Sequence, residues 1–128
     1  MQKIILDTNF LLIPAQFRID IFSEIQRICD FNYKIVILDK SIVELENLML
    51  KEKGKTKNQV KLTLELIKHK KIEILATEGE LFVDDMIVEF AKKGSFIVAT
   101  QDKGLIERLK ATKIKVISLR QKKYLMFR

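Results

Sequence analysis

Four short stretches put carboxylates where a folded chain would seldom leave them unpaired. "KIILD" runs through large aliphatics into Asp7, and Thr8 and Asn9 follow. "KIVILDKSIVE" carries Asp39 and then Glu44, "VDDMIVEFA" carries Asp84 and Asp85, and "SFIVATQD" carries Thr100 and Asp102. A carboxylate at the end of a buried strand costs several kcal/mol unless something pairs with it or ligates it. Acids forced together also raise one another's pKa, a conflict that a divalent cation removes. Oxygen donors without His or Cys suit Mg²⁺ or Mn²⁺, which keep waters and bridge to phosphates. The chemistry such a cluster would perform is activation of a water against a phosphodiester.

Each acid also has a plainer explanation. Asp-Thr-Asn is good turn chemistry, so Asp7 could simply end a strand. Ser41-x-x-Glu44 has the form of a capping box. On a helical wheel Glu44 and Glu46 flank Leu45 symmetrically, which favours neither explanation. Asp102, ahead of "KGLIERL", has the form of an N-cap. Asp84 is different. At 100° per residue it lies about 60° from Ile87, inside the arc of Val83, Phe90 and Ala91, whereas Asp85 lies about 160° away beside Lys92. An inward carboxylate with a wetter acid next to it points to pairing or ligation.

The elements that must position these residues alternate along the chain. Continuous apolar runs at 3–6, 34–38, 72–75, 95–99 and 115–119 fit strands buried on both faces. Helical periodicity falls at 20–31, 41–52, 56–70, 80–93 and 103–112, with Gly54 between the second and third. Strands alternating with helices predict an α/β domain, a three-layer αβα sandwich with a mostly parallel sheet, over residues 1–128. In such sheets ligands bind beyond the carboxyl ends of the strands, which is where these acids fall.

Composition narrows the classes. At 128 residues, 48% of them apolar, and with a mean hydropathy near zero, the chain is expected to be one soluble domain. No apolar run approaches the roughly 18 residues of a membrane span, and "MQKIILD" meets an acid too early for a secretion leader. A single Cys, Cys29, gives no disulfide framework and makes a cytoplasmic setting the expectation. With one His as well, a zinc site of the usual multi-thiolate or imidazole kind is excluded, and His69 is expected on the surface.

The net charge of +7 is unevenly laid out. Residues 51–71 hold eight Lys against two Glu, and residues 110–128 hold seven Lys or Arg and no acid, so the remainder is net acidic. Basic flanks around an acidic body suggest a polyanionic partner, with Lys51, Lys53, Lys55, Lys57, Arg120, Lys122 and Lys123 as phosphate contacts. An anionic membrane surface fits less well, because no strongly amphipathic terminal helix accompanies the charge.

"ILDTNFLL", "SIVELENL", "VDDMIVEFA" and "IVATQDKGL" resemble, in order and spacing, the four motifs of PIN domains, which are metal-dependent ribonucleases. The resemblance runs from Lys3 to about Leu119 and is greatest to archaeal single-domain members. These are related to the PIN nuclease of early ribosomal RNA processing and, more distantly, to VapC-type toxins. The resemblance implies that Asp7, Glu44, Asp84 and Asp102 are the catalytic and metal-holding acids, for one or two Mg²⁺ or Mn²⁺ ions. It implies supporting roles for Thr100, as hydroxyl neighbour of the last acid, and for Asn9, as the residue orienting Asp7. RNA is the implied substrate, a homodimer the family expectation, and an antitoxin or a ribosome-assembly factor the implied protein partner.

Two other functions compete. A PIN-type module could bind RNA or an assembly partner without cleaving, which the intact quartet argues against. A phosphatase that also places Asp after its first strand needs a second Asp two residues on, where this chain has Asn9.

Overall fold

The computed structural model describes residues 1–79 and 82–128. Its strands are β1 (Gln2–Leu6), β2 (Tyr33–Leu38), β3 (Glu73–Leu75), β4 (Phe96–Ala99), β5 (Val116–Arg120) and β6 (Tyr124–Phe127). Its helices are α1 (Thr8–Leu11), α2 (Ile13–Phe17), α3 (Ile21–Ile28), α4 (Asp39–Lys51), α5 (Gly54–His69), α6 (Val83–Lys92) and α7 (Lys103–Ala111). The six strands form one sheet in the order β3-β2-β1-β4-β5-β6, parallel except for β6.

Alternation along β1 builds two cores. Ile4 and Leu6 point to one face, where Phe10, Ile21, Ile25, Leu45 and Val60 from α1, α3, α4 and α5 cover them. Ile5 points to the other, beneath Val83, Ile87, Leu105 and Leu109 of α6 and α7. The expected three-layer αβα sandwich is therefore the observed one. With β2 on one side of β1 and β4 on the other, strand order reverses between β1 and β4, the position where a parallel sheet leaves a crevice at its carboxyl edge.

Several expectations need correction. The helix expected from 41 begins two residues earlier, at Asp39, so Ser41 lies inside its first turn and cannot cap it. The helix expected over 80–93 begins at Val83, and residues 80 and 81 lie outside the described residues. Strand β6 and the short helices α1 and α2 had no counterpart in the sequence pattern. His69 is exposed, as expected. No helix among the described residues is long and apolar enough to cross a membrane.

The antiparallel edge is closed by side chains. Leu125 N–H donates to Glu24 Oε1 at 3.0 Å, and Arg27 Nη2 donates to Leu125 O at 2.9 Å. Glu24 and Arg27 are themselves bridged at 3.0 Å.

Candidate active site at the carboxyl edge of the sheet

Asp7 ends β1 and opens α1, with Oδ1 accepting from Thr8 N–H at 2.8 Å. Across the crevice Thr100, the residue after β4, donates its hydroxyl to Asp7 Oδ2 at 2.9 Å. The same Thr100 Oγ1 accepts from Asp102 N–H at 3.1 Å, so one buried hydroxyl ties two of the acids together. Asp7 is only 5% exposed. Burial is the main reason its carboxyl is pushed up to about 6, opposed by the Thr100 hydrogen bond and reinforced by the charges of Asp84 and Glu44.

Glu44 sits on the second turn of α4 and is held from α1. Thr8 Oγ1 donates to Glu44 Oε1, and Ser41 Oγ lies 2.9 Å from the same Thr8 oxygen. Thr8 has one hydroxyl proton and a carboxylate only accepts, so Thr8 gives its proton to Glu44 while the Ser41 hydroxyl donates to Thr8. The capping-box explanation of Glu44 is thereby overturned, since its partner belongs to another helix 36 residues away.

Asp84 lies half-buried on the first turn of α6, with its carboxyl raised first by burial and then by Asp102 and Glu44, against a smaller opposing effect of Arg108. Its neighbour Asp85 takes Arg108 instead, at 2.9 Å. Asp102 does cap α7, accepting from Leu105 N–H at 3.0 Å, and so combines the plainer explanation with a place beside Asp84.

Four elements thus gather the acids around Asp84, which interacts with Asp7, Glu44 and Asp102, and Asp7 also feels Glu44. Among the described residues none of the four has a Lys or Arg within ion-pair distance. No three acidic, His or Cys side chains among the described residues are already drawn in around one point. The donor set is nonetheless the right kind for a divalent cation: oxygen only, anionic, partly buried and without a countercharge.

Asn9 does not orient Asp7. It is exposed, and among the described residues its side chain makes no hydrogen bond, because Asp7 is already held by Thr8 N–H and Thr100. Thr8 and Ser41, which hold Glu44, were missed by the sequence reasoning. The only signal was the hydroxyl of Thr8 beside the strand-end acid.

Of the seven basic residues suggested as phosphate contacts, one shares a cleft with an acid and a second lines the adjoining cleft. Lys51 lines a cleft with Thr8, Asn9, Glu44, Asn47 and Leu48, and Lys122 lines a second cleft that shares Asn9. Lys53, Lys55, Lys57, Arg120 and Lys123 are exposed and line neither.

Residues 4–122 match a family model described as a PIN like domain. The chain is 39% identical over 127 residues to ribonuclease VapC4 of Methanocaldococcus jannaschii, covering 97% of this chain and 95% of that protein. It is 29% identical over 120 residues to ribonuclease VapC9 of Archaeoglobus fulgidus, covering 93% and 84%. The solved structure of the PIN domain endonuclease Utp24 superposes with a TM-score of 0.81 at 26% identity, over 98% of this chain and 90% of that one.

Proposed function

The chain belongs to the PIN-domain ribonuclease family, and on that premise we propose that it hydrolyses RNA internally, with Asp7, Glu44, Asp84 and Asp102 holding Mg²⁺ or Mn²⁺. The observation that carries this is the set of four acids at the crevice between β1 and β4, one of them almost wholly buried, without a basic partner among the described residues. When bound, the cation supplies neutralisation of the acids and polarisation of water and phosphate oxygen. The rest is work for the chain's own residues. Thr100 and Thr8 N–H fix both oxygens of Asp7, the Thr8 hydroxyl fixes Glu44, and the Leu105 N–H fixes Asp102. Lys51 and Lys122 bind backbone phosphates on either side of Asn9.

The test is Mn²⁺-dependent cleavage of a structured RNA by wild type and Asp7→Asn. Cleavage by wild type alone is expected, and identical products from both would overturn the assignment. Near full-length similarity to two VapC ribonucleases favours a toxin-type enzyme with an antitoxin partner over a ribosomal RNA processing role. Induction in a heterologous host is then expected to arrest growth and Asp7→Asn to relieve it, whereas unhindered growth with wild type would favour processing. A homodimer belongs to the same proposal, checked by mass in solution.

A further inference from the structure

We infer that the cleft between α2 and the β5–β6 turn is a nucleobase subsite, taking one unpaired base of single-stranded RNA beside the acidic centre. The substrate class rests on the ribonuclease assignment above; of the residues used there only Asn9 and Lys122 recur. The cleft has a volume of about 500 Å³, within the range of small-molecule sites. It meets the cleft of Glu44, Thr8 and Lys51 at Asn9, so a base seated here neighbours the acids.

Its walls match a base in three respects. Ile13, Phe17 and Leu119 give an apolar surface, and Phe17 is 39% exposed, so its ring is open to a ligand. Stacking on such a ring suits any base, since every base has a π-face. Gln16, Gln121 and Asn9 line the same cleft, and among the described residues their side chains have no hydrogen-bond partner. Amides both donate and accept, as the edges of an unpaired base require. Gln101 is the contrast, because its amide donates to Leu119 O and accepts from Leu119 N–H, which fixes the wall. Lys122 supplies the third match: its Nζ lies over the Phe17 ring, 5.8 Å from its centre, so a cation for the phosphate covers one face of the ring and a base would stack on the other.

The turn has the backbone of a tight hairpin, with positive φ at both central residues, as Arg18, Lys71 and Lys113 also have elsewhere in the chain. Gln121 and Lys122 have φ of 53° and 54°, left-handed conformations that cost a non-glycine residue roughly 1–2 kcal/mol each. A base stacked within a duplex cannot enter the cleft, so unpaired RNA is the expected ligand.

The test is binding of a fluorescent single-stranded hexanucleotide to the full chain in EDTA, where no cleavage occurs. Phe17→Ala is expected to weaken binding about 5- to 100-fold and Phe17→Leu nearly as much, both leaving the salt dependence of binding unchanged. Lys122→Ala is expected to lower the slope of log Kd against log salt by about one. Binding by Phe17→Ala within twofold of wild type would overturn the inference. So would a lowered salt slope in Phe17→Ala, since the ring would then merely hold Lys122. Equal binding of the corresponding duplex would also overturn it. Should Phe17→Ala fail to fold, an abasic scan of the hexanucleotide on wild type decides: a loss of fivefold or more at one position supports the subsite, and uniformly small effects overturn it. A wild type that cleaves no RNA with Mn²⁺ but shows this binding pattern overturns the nuclease assignment and leaves the subsite standing.

Discussion

The carboxyl ends of β1 and β2 each carry an aspartate held by a threonine, and the two aspartates behave oppositely. Asp7 accepts from Thr8 N–H at 2.8 Å and the Thr100 hydroxyl at 2.9 Å. Asp39 accepts from Thr77 N–H at 3.1 Å and the Thr77 hydroxyl at 2.6 Å. The hydrogen bonds are nearly equivalent, yet Asp7 is pushed up to about 6 while Asp39 is held below the usual carboxylate value, chiefly by the Thr77 hydroxyl. Surroundings decide the difference. Asp7 is desolvated and faces acids; Asp39 is half-buried, sits in the first turn of a 13-residue helix and has Lys40 beside it. Asp39 fastens Thr77 to the start of α4. Asp7 carries a charge that burial and the neighbouring acids Asp84 and Glu44 oppose and that no basic residue among the described residues compensates.

The largest expected effect tests that contrast directly. Asp7→Asn should lower Mn²⁺-dependent cleavage by at least about 100-fold, the scale of losing one fixed electrostatic group in an active site. In EDTA at pH 8 it should also melt several degrees above wild type, because it removes a buried charge and keeps the shape. Asp39→Asn should cleave within a few-fold of wild type and melt below it. A lower melting temperature for Asp7→Asn would end the idea that Asp7 is held at a cost to folding.

Acid should separate the two next. Asp7 rises from the usual 3.8 to about 6, so the folded chain binds its proton more tightly than the unfolded chain. Its contribution is therefore fully present below about pH 3.8 and lost as pH rises through 6, worth at most about 3 kcal/mol. The melting advantage of Asp7→Asn in EDTA should accordingly grow from pH 4 to pH 7 and then level off. Asp39 is lowered, so its contribution is present above the usual value and lost as pH falls through its folded value. The penalty of Asp39→Asn should then shrink on acidification.

Cation binding comes third. At a hundred times its dissociation constant, Mn²⁺ should stabilise wild type by about 2.7 kcal/mol at pH 7.5. Thermal melts should show that gain retained in Asp39→Asn and lost in Asp7→Asn and Asp84→Asn. The smallest effect should come from Thr77→Val, which removes one hydroxyl hydrogen bond of Asp39. It should cost about 1 kcal/mol in denaturant melts and leave cleavage unchanged.

The sandwich was legible because strands buried on both faces need a continuous apolar run, and β1, β2, β4 and β5 each have one, at Ile4–Leu6, Ile35–Leu38, Phe96–Ala99 and Val116–Ile117. Strand β6 was not, because "YLMF" lies in a basic tail and its turn uses Gln121 and Lys122 where a hairpin ordinarily shows Asn-Gly. Helices α1 and α2 have four and five residues, too few for a periodic stripe. Within the candidate site, the helical wheel singled out Asp84 because an acid on an apolar arc conflicts with local physics. Glu44 and Asp102 carried no such conflict; their place beyond the strand ends was suggestive, and the family resemblance singled them out. Thr8 and Ser41 stayed hidden because their bond joins residues 33 apart, and no local pattern records it. Asp39 and Asp7 looked alike for the same reason: burial and neighbouring charge belong to the folded chain.

The bonds that Glu24 and Arg27 make to Leu125 bear on how the molecule keeps to itself in a crowded cell. An open strand edge is a template for another chain, and here two side chains stand in for the missing neighbour strand at the middle of β6. The guard is ionic, so protonating Glu24 unlatches it. Arg27 holds that carboxyl below its ordinary value, so the latch survives acid that would release an unpaired glutamate. The opposite edge, β3, is only three residues long and presents Ile74 half-exposed, with Lys34 and Glu73 bridged beside it at 2.9 Å. Brevity protects one border of the sheet and charge the other, so acid below the range of ordinary carboxylates should make β6 the first place where copies of this chain stick together.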